Sequence, residues 1–170
     1  MIETEKPDRS ALDRAAYLIA TGAGVGFAPV APGTFGAIEA LAIFIATSAL
    51  MADNWRAHLW LLVALNVIIF AIGVWSAGRA CHICDLEDPS QVVIDEVSGQ
   101  LIALTPVALA PSVLGVIIAF ILFRLFDIFK PYPIRKLERL RAGVGVMADD
   151  ALAGLYAAAL VWLGLYLRLI

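Results

Sequence analysis

The chain has 170 residues, of which 62% are hydrophobic and 16% are charged, and its formal net charge is −3. Soluble domains are about 45–50% apolar and about 25% charged, so this chain is too apolar to cover itself with a wetted surface. The length suits one domain, residues 1–170, and the small net charge gives no indication of nucleic-acid binding. We therefore expect an integral membrane protein.

The N-terminal part of the chain predicts a short amphipathic helix at Ala11–Ala20, lying at the membrane interface. Met1–Arg14 is highly charged and lacks an apolar core, so we expect no cleavable signal peptide. The next stretch, Gly22–Gly36, is rich in glycine and proline. It could not cross lipid alone, because its backbone groups would lack hydrogen-bond partners. We expect it at the interface or tucked against the helices.

Five segments then approach the length of a membrane span, which is about 20 mainly apolar residues. They predict an all-α, polytopic membrane bundle with about five spanning helices plus the interfacial helix. The segments are about Phe35–Met51, Ala57–Gly78, Val92–Ala110, Ser112–Phe129 and Ala151–Leu169.

The basic residues indicate how this bundle is oriented. Five alternating spans put Lys6, Arg9, Arg14 and Arg79 on the same side as a loop with five further basic residues, Lys130, Arg135, Lys136, Arg139 and Arg141. Arg56 and Arg168 fall on the other side, and Arg124 lies within a span. Because cytoplasmic loops carry the excess of Lys and Arg, we expect the N-terminus and this loop to be cytoplasmic.

Polar residues from four spans meet at that inner end. Thr34 begins the first span, where we expect it to be the N-cap, and a glycine turn at Gly143–Gly145 precedes the last. Charges within spans cost about 2.5–3.5 kcal/mol each on insertion scales, so they are functional candidates. The charged residues that converge are Asp95 and Glu96, then Arg124, Asp127 and Lys130, and finally Asp149 and Asp150.

The five acids, Asp95, Glu96, Asp127, Asp149 and Asp150, predict a site for one or two Mg²⁺ ions. Carboxylates cannot crowd together at neutral pH unless a positive charge compensates them or some stay protonated, and oxygen-only ligands favour a hard cation. The alternative is that single acids merely cap helices. Arg124 and Asp127 are three residues apart and share a helix face, which predicts an ion pair.

Cations beside the acids suit the binding of a phosphate group. We expect this role for Arg124, Lys130 and Arg135, with the amides at the start of the first span near Thr34. A metal site next to phosphate-binding cations favours phosphate-ester hydrolysis, by a metal-activated water or through an aspartyl-phosphate. The sequence leaves both routes open.

Two rival functions are weighed against this one. A small transporter would need polar residues deep in several spans, and only Asn66 and Glu39 support it; Asn66 is more simply explained by a helix-to-helix hydrogen bond. A phosphotransferase acting on another phosphorylated lipid is the second rival, but its D-G-x2-A-R signature is absent. The pair Cys81 and Cys84 has no second set of ligands at metal spacing, so we expect buried thiols.

Four blocks of the sequence resemble the phosphatidylglycerophosphatase A family, between about Gly22 and Tyr156. They are Pro29–Gly36 (PVAPGTFG), Val92–Gln100 (VVIDEVSGQ), Phe123–Arg135 (FRLFDIFKPYPIR) and Gly143–Gly154 (GVGVMADDALAG). The family commonly has paired glycines before the last block, where this chain has Ala142 and Gly143.

The resemblance implies a bacterial, Mg²⁺-dependent phosphatase that converts phosphatidylglycerophosphate to phosphatidylglycerol in phospholipid biosynthesis. It implies a multi-pass protein of the inner membrane whose active site faces the cytoplasm. Its lipid substrate and the bilayer are the expected partners, with no nucleic acid, and the oligomeric state is not indicated. The family's polar positions fall on Thr34, Asp95, Glu96, Arg124, Asp127, Lys130, Arg135, Asp149 and Asp150.

Overall fold

A computed structural model describes residues 10–137, 140 and 142–170. Four basic residues used in the orientation argument, Lys6, Arg9, Arg139 and Arg141, lie outside the described residues. The described part of the chain is helical with no β-strand, which confirms the all-α prediction. The helices are α1 (Ala11–Ala20), α2 (Pro32–Leu50), α3 (Trp55–Cys84), α4 (Ile94–Leu104), α5 (Val113–Phe129), α6 (Ile134–Leu137) and α7 (Ala142–Tyr166).

Three of these helices, α2, α3 and α7, are long and apolar enough to cross a membrane. The segment predicted as the third span is instead the 11-residue α4 followed by a 3₁₀-helix, Thr105–Leu109, which has Pro106 at its start. Proline has no N–H to continue the hydrogen-bond ladder of an α-helix. The 17 residues of α5 measure roughly 25 Å, somewhat less than the hydrocarbon core of a bilayer. The membrane bundle is therefore supported, whereas the count of five spans stays a prediction.

Helix α1 has the predicted bounds. The Ser10 side chain caps it by accepting a hydrogen bond from the backbone N–H of Asp13. Asp13 in turn pairs with Arg79 near the end of α3. The Ser10 hydroxyl, and then Arg79, lower the pKa of the half-buried Asp13 carboxyl. Helix α1 is thus fastened to α3 by charge as well as by its buried alanines, Ala16 and Ala20.

The glycine-rich segment after α1 forms a 3₁₀-helix, Gly22–Phe27, that is tucked against the chain leading into α4. The backbone N–H of Val93 donates to the Ala20 carbonyl at 2.9 Å. A side chain at position 26 would collide with the Gln91 carbonyl, so only glycine fits there. This contact fixes where α4 begins.

The core is centred on α4, which packs against α2, α3, α5 and α7. Leu62 of α3, Leu101 and Leu104 of α4, and Met147 of α7 are fully buried there. Gly99 of α4 and Gly154 of α7 allow a close crossing, since a side-chain carbon on Gly154 would strike the Gly99 carbonyl. An 11-residue helix is therefore the one that the longer helices enclose.

Helix α7 begins at Ala142, which corrects the prediction of a glycine turn followed by a span from Ala151. Gly143 and Gly145 are buried within the helix, and a side chain on Gly143 would meet the backbone of Val74 and Gly78 in α3. These glycines serve close helix packing rather than a turn. Ala142 itself has a φ of +48°, in the left-handed region that glycine adopts more readily than alanine.

Candidate active site

The first turn of α4 carries two of the predicted acids, Asp95 and Glu96. This position agrees with the prediction that they start a helix. The first N–H groups of a helix lack partners within it and carry a partial positive charge, which favours acids there. Asp95 is only 9% exposed, so its carboxyl group is held inside the protein rather than in water.

Helix α7 supplies the adjacent pair, Asp149 and Asp150. Both are buried, and both lie about two turns inside the helix rather than at its start. The close crossing at Gly99 places the Asp150 backbone against α4, because the Asp150 carbonyl lies where a Gly99 side chain would be. The glycines of α4 and α7 thus bring acids that are 54 residues apart in the chain, Asp95 and Asp149, to one place.

The C-terminal end of α5 contributes Arg124, Asp127 and the C-cap residue Lys130. Arg124 Nη1 lies 2.7 Å from Asp127 Oδ2, which confirms the predicted ion pair. Lys130 adopts a left-handed conformation that ends the helix, and its Nζ lies 2.7 Å from Asp149 Oδ2. Two of the five acids are therefore compensated by cations of α5.

The start of α2 closes the site on another side, with a different geometry from the one predicted. The N-cap is Ala31 in a left-handed conformation and Pro32 opens the helix, so Thr34 lies inside the first turn and is not the cap. A side-chain carbon on Gly33 would collide with Glu96 Oε1 and lie 3.3 Å from Arg124 Nη1. The missing side chain of Gly33 is what leaves room for the Glu96 carboxylate.

A cavity of about 240 Å³ lies between these elements. All five predicted acids line it, together with Lys130. Asp88 and Ser90, in the loop before α4, line it as well, and sequence reasoning missed them. Their signal was weak, since a polar loop residue next to a motif is ordinary. Pro32 and two valines, Val92 and Val146, complete the wall.

The five acids divide into two groups. Asp127 and Asp149 face cations, whereas Asp95, Glu96 and Asp150 form a cluster whose ligand oxygens all lie within 4.8 Å of one another. One oxygen of each cluster residue is buried and has no hydrogen-bond partner in the described structure: Asp95 Oδ1, Glu96 Oε2 and Asp150 Oδ2. Crowded buried carboxylates are costly, and a cluster that offers one hard oxygen from each of three carboxylates fits a hard divalent cation such as Mg²⁺.

The remaining predicted residues, Thr34, Arg124 and Arg135, lie outside the lining of this cavity. Arg124 is adjacent to it through Asp127 and Gly33. The exposed Arg135 donates a hydrogen bond from Nη2 to the Phe129 carbonyl at 3.4 Å, so it binds the end of α5 rather than the cavity. The thiols Cys81 and Cys84 are both free; Cys81 is buried and Cys84 is half-buried.

The arrangement joins a cluster of hard anionic oxygens to cations, at one end of a set of membrane-type helices. Comparison with known proteins gives it a family. The model of the family described as "Phosphatidylglycerophosphatase A" matches residues 18–165. No solved structure matches the chain significantly.

Three curated relatives were found. A Bacteroides thetaiotaomicron protein provisionally named phosphatidylinositol-3-phosphatase is 47% identical over 148 residues, covering 85% of this chain and 89% of the relative. A Haemophilus influenzae phosphatidylglycerophosphatase A is 31% identical and covers 86% of both chains. An Escherichia coli phosphatidylglycerophosphatase A is 32% identical, covering 86% of this chain and 81% of its own. The chain therefore belongs to the phosphatidylglycerophosphatase A family of phosphatases.

Proposed function

We propose that this phosphatase removes the terminal phosphate of phosphatidylglycerophosphate, releasing phosphatidylglycerol and inorganic phosphate in phospholipid biosynthesis. The observation that carries the proposal is the cavity lined by the acid cluster of Asp95, Glu96 and Asp150 and by two further acids, Asp127 and Asp149, which pair with Arg124 and Lys130. Two relatives that bear the name of this activity support the choice of substrate.

The proposed cofactor is Mg²⁺, held first by Asp95, Glu96 and Asp150. Asp127 and Asp149 line the same cavity and would complete the ligand set or hold a second ion. A bound divalent cation supplies Lewis acidity toward a phosphoryl oxygen and lowers the pKa of water. The fit rests on charge and donor chemistry, since the cluster holds like charges at short range and hydrogen bonds leave one oxygen of each residue unsatisfied.

The proposed role of the cations is to bind the phosphate of the substrate. The Lys130 ammonium reaches the cavity and is already engaged with one anionic group, the Asp149 carboxylate. A phosphate dianion would compete for that contact. Arg124, held by Asp127 beside Gly33, would stabilise the same charge from behind. The carboxylates released from these pairs would then be available as general base or nucleophile. Thr34 and Arg135 would support phosphate binding from outside the cavity lining.

The proposed location is the inner membrane, with the cavity at the cytoplasmic surface. Helix α2 starts at the cavity, α5 ends there, and α4 and α7 begin close to it, so the long helices alternate in direction as five crossings would require. Among the described basic residues, Lys130, Arg135 and Lys136 follow α5 at this end, whereas Arg56 and Arg168 lie at the opposite ends of α3 and α7. The excess of positive charge favours the cytoplasm for the cavity end.

A second candidate substrate is phosphatidylinositol 3-phosphate, because a relative with 47% identity carries that name. Both lipids present a phosphate monoester on a headgroup, so the cavity chemistry serves either. Which headgroup is accepted has to be measured.

The test is phosphate release by the purified protein in detergent micelles, with each lipid in turn, in excess Mg²⁺ and in excess EDTA. We expect Mg²⁺-dependent release from phosphatidylglycerophosphate that Asp150→Asn abolishes. Asp53→Asn is the matched control, since Asp53 lies in the exposed loop between α2 and α3 and the chemical change is the same. A folded protein that releases phosphate from phosphatidylinositol 3-phosphate alone would overturn the first substrate. Equal rates of phosphate release in excess Mg²⁺ and in excess EDTA would overturn the proposal that Mg²⁺ is the cofactor.

A further inference from the structure

Helix α4 carries a polar side chain that the proposed chemistry does not use. Gln100 is fully buried, and both its Nε2 and its Oε1 lack a hydrogen-bond partner among the residues described. A buried polar group without a partner is destabilising, and among the described residues this amide leaves both a donor and an acceptor unsatisfied. A methionine or leucine would fill the same space without that cost. The amide therefore calls for a partner that the protein acquires in its working state.

Glu96 is the group of the acid cluster that Gln100 can reach. The two residues are four apart in the same helix and so lie on one face, one turn from each other. Side chains on a helix lean toward its N-terminus, which directs the Gln100 amide back to the turn that bears Glu96. Glu96 Oε2 is itself buried and has no hydrogen-bond partner within the described part of the chain. Among the residues described, Gln100 Nε2 is thus a donor that lacks an acceptor, and Glu96 Oε2 is an acceptor that lacks a donor.

We propose that Gln100 is a positioning residue for the cation site, donating a hydrogen bond from Nε2 to Glu96 while the other Glu96 oxygen faces the cation. This inference rests on the proposed Mg²⁺ site. A neutral amide suits the task because it orients the carboxylate without adding a positive charge that would compete with the cation. Partners behind a metal ligand typically alter metal affinity about 10–100-fold when they are removed.

A purely structural role predicts the opposite behaviour. If Gln100 only filled the core, Gln100→Met would remove two unsatisfied polar atoms and keep the volume. The variant would then be as stable as the wild type or more stable, with an unchanged response to Mg²⁺. Thermal stability without Mg²⁺ therefore does not separate the two roles, but the Mg²⁺ response does.

The experiment is thermal unfolding of the purified full chain in detergent, titrated with MgCl₂, because a bound cation raises the unfolding temperature without any need for turnover. We expect Gln100→Met to unfold at or above the wild-type temperature without Mg²⁺ and to need about 10–100-fold more Mg²⁺ for half of the stabilisation. The KM for lipid, measured at saturating Mg²⁺, should not change. Gln100→Leu gives the same readout if Gln100→Met does not fold.

Asn66→Leu is the matched control. Asn66 is also a carboxamide with a buried unpartnered oxygen, but its Nδ2 donates to Thr105 Oγ1 and the Leu62 carbonyl, away from the acids. We expect Asn66→Leu to keep the wild-type Mg²⁺ response. A wild-type response in Gln100→Met would overturn the positioning role and leave the phosphatase untouched. If Mg²⁺ did not stabilise the wild-type protein, both the positioning role of Gln100 and the proposed Mg²⁺ cofactor would be overturned. Phosphate release in EDTA would then show that the phosphatase activity does not depend on either of them.

Discussion

Two buried polar clusters lie at opposite ends of α2 and α3, and they are satisfied in different ways. At one end is the acid cluster of Asp95, Glu96 and Asp150. At the other is a histidine cluster of Thr47, Ser48 and His58, with His58 only 3% exposed. His58 Nε2 lies 3.1 Å from Thr47 Oγ1 and 3.5 Å from Ser48 Oγ, and both hydroxyls also donate to backbone carbonyls of α2.

The difference shows which cluster is complete without a ligand. The histidine cluster closes its hydrogen bonds within the chain and packs its ring against Phe44 at 5.3 Å between centroids. The acid cluster keeps like charges together, and residues 10–137, 140 and 142–170 supply no hydrogen-bond partner for three of its oxygens. A group that only stabilises the fold gains from the first arrangement. The second is destabilising until something positive arrives, which is the property of a binding site.

Removing one charge from the acid cluster should have the largest effect. We expect Asp150→Asn to lower phosphate release at least about 100-fold, because a divalent cation contributes several kcal/mol to stabilising the transition state. The same change should raise the unfolding temperature in EDTA, since it relieves repulsion from Asp95 and Glu96. Assays of activity and of unfolding in parallel test both parts, and a fall in stability in EDTA would contradict the view that the cluster is strained by like charges.

The next largest effect should come from removing the charge of Lys130, which lines the cavity and pairs with Asp149. Lys130→Met removes the positive charge and keeps an unbranched side chain of similar length. We expect kcat/KM to fall about 10–100-fold, mainly through a higher KM, because a charge-assisted contact to phosphate is lost. Lys136→Met, at the exposed lysine of α6, is the control. A fall in kcat with KM unchanged would show that Lys130 acts on the chemical step instead.

A smaller effect should follow from filling the space beside Glu96. Gly33→Ala forces either Glu96 or the start of α2 to move, so we expect roughly a 10-fold loss of activity from a small misplacement of the ligand. Gly78→Ala is the control, because the added Cβ would lie 3.5 Å from the backbone nitrogen of Gly143, which is an ordinary van der Waals contact. Steady-state rates at saturating Mg²⁺ measure both variants. Equal rates in the two would show that Glu96 tolerates displacement.

A substitution in the histidine cluster should leave the phosphatase activity unchanged. Thr47→Val removes a hydroxyl that contacts His58, and we expect a loss of about 1–3 kcal/mol in the free energy of unfolding without a change in phosphate release. Chemical unfolding in detergent and the phosphate assay check the two halves. A loss of activity larger than the loss of folded protein would show that the two ends of the bundle are coupled.

The composition and the order of apolar segments were enough to predict a helical membrane protein and the residues that meet at one end. Charges are rare in such segments because they are costly there, so Asp95, Glu96, Asp127, Asp149 and Asp150 stood out from the sequence alone. The same reasoning predicted the Arg124–Asp127 pair, since residues three apart share a helix face. It also predicted that Asn66 bonds to a neighbouring helical segment, which its contact with Thr105 confirms.

Only the tertiary structure decided how those acids divide and where the helices begin. Glycine signals a turn to local reasoning, yet Gly143 lies inside α7 because the α3 backbone approaches it too closely for a side chain. Helix α4 is the helix around which α2, α3, α5 and α7 pack, a fact that no local pattern carries. Which acids pair with Arg124 and Lys130, and which cluster with one another, depends on how the helices pack, including the crossing at Gly99 and Gly154. Hydrophobic pattern and charge are properties of the chain, whereas the compensation of one charge by another is a property of packing.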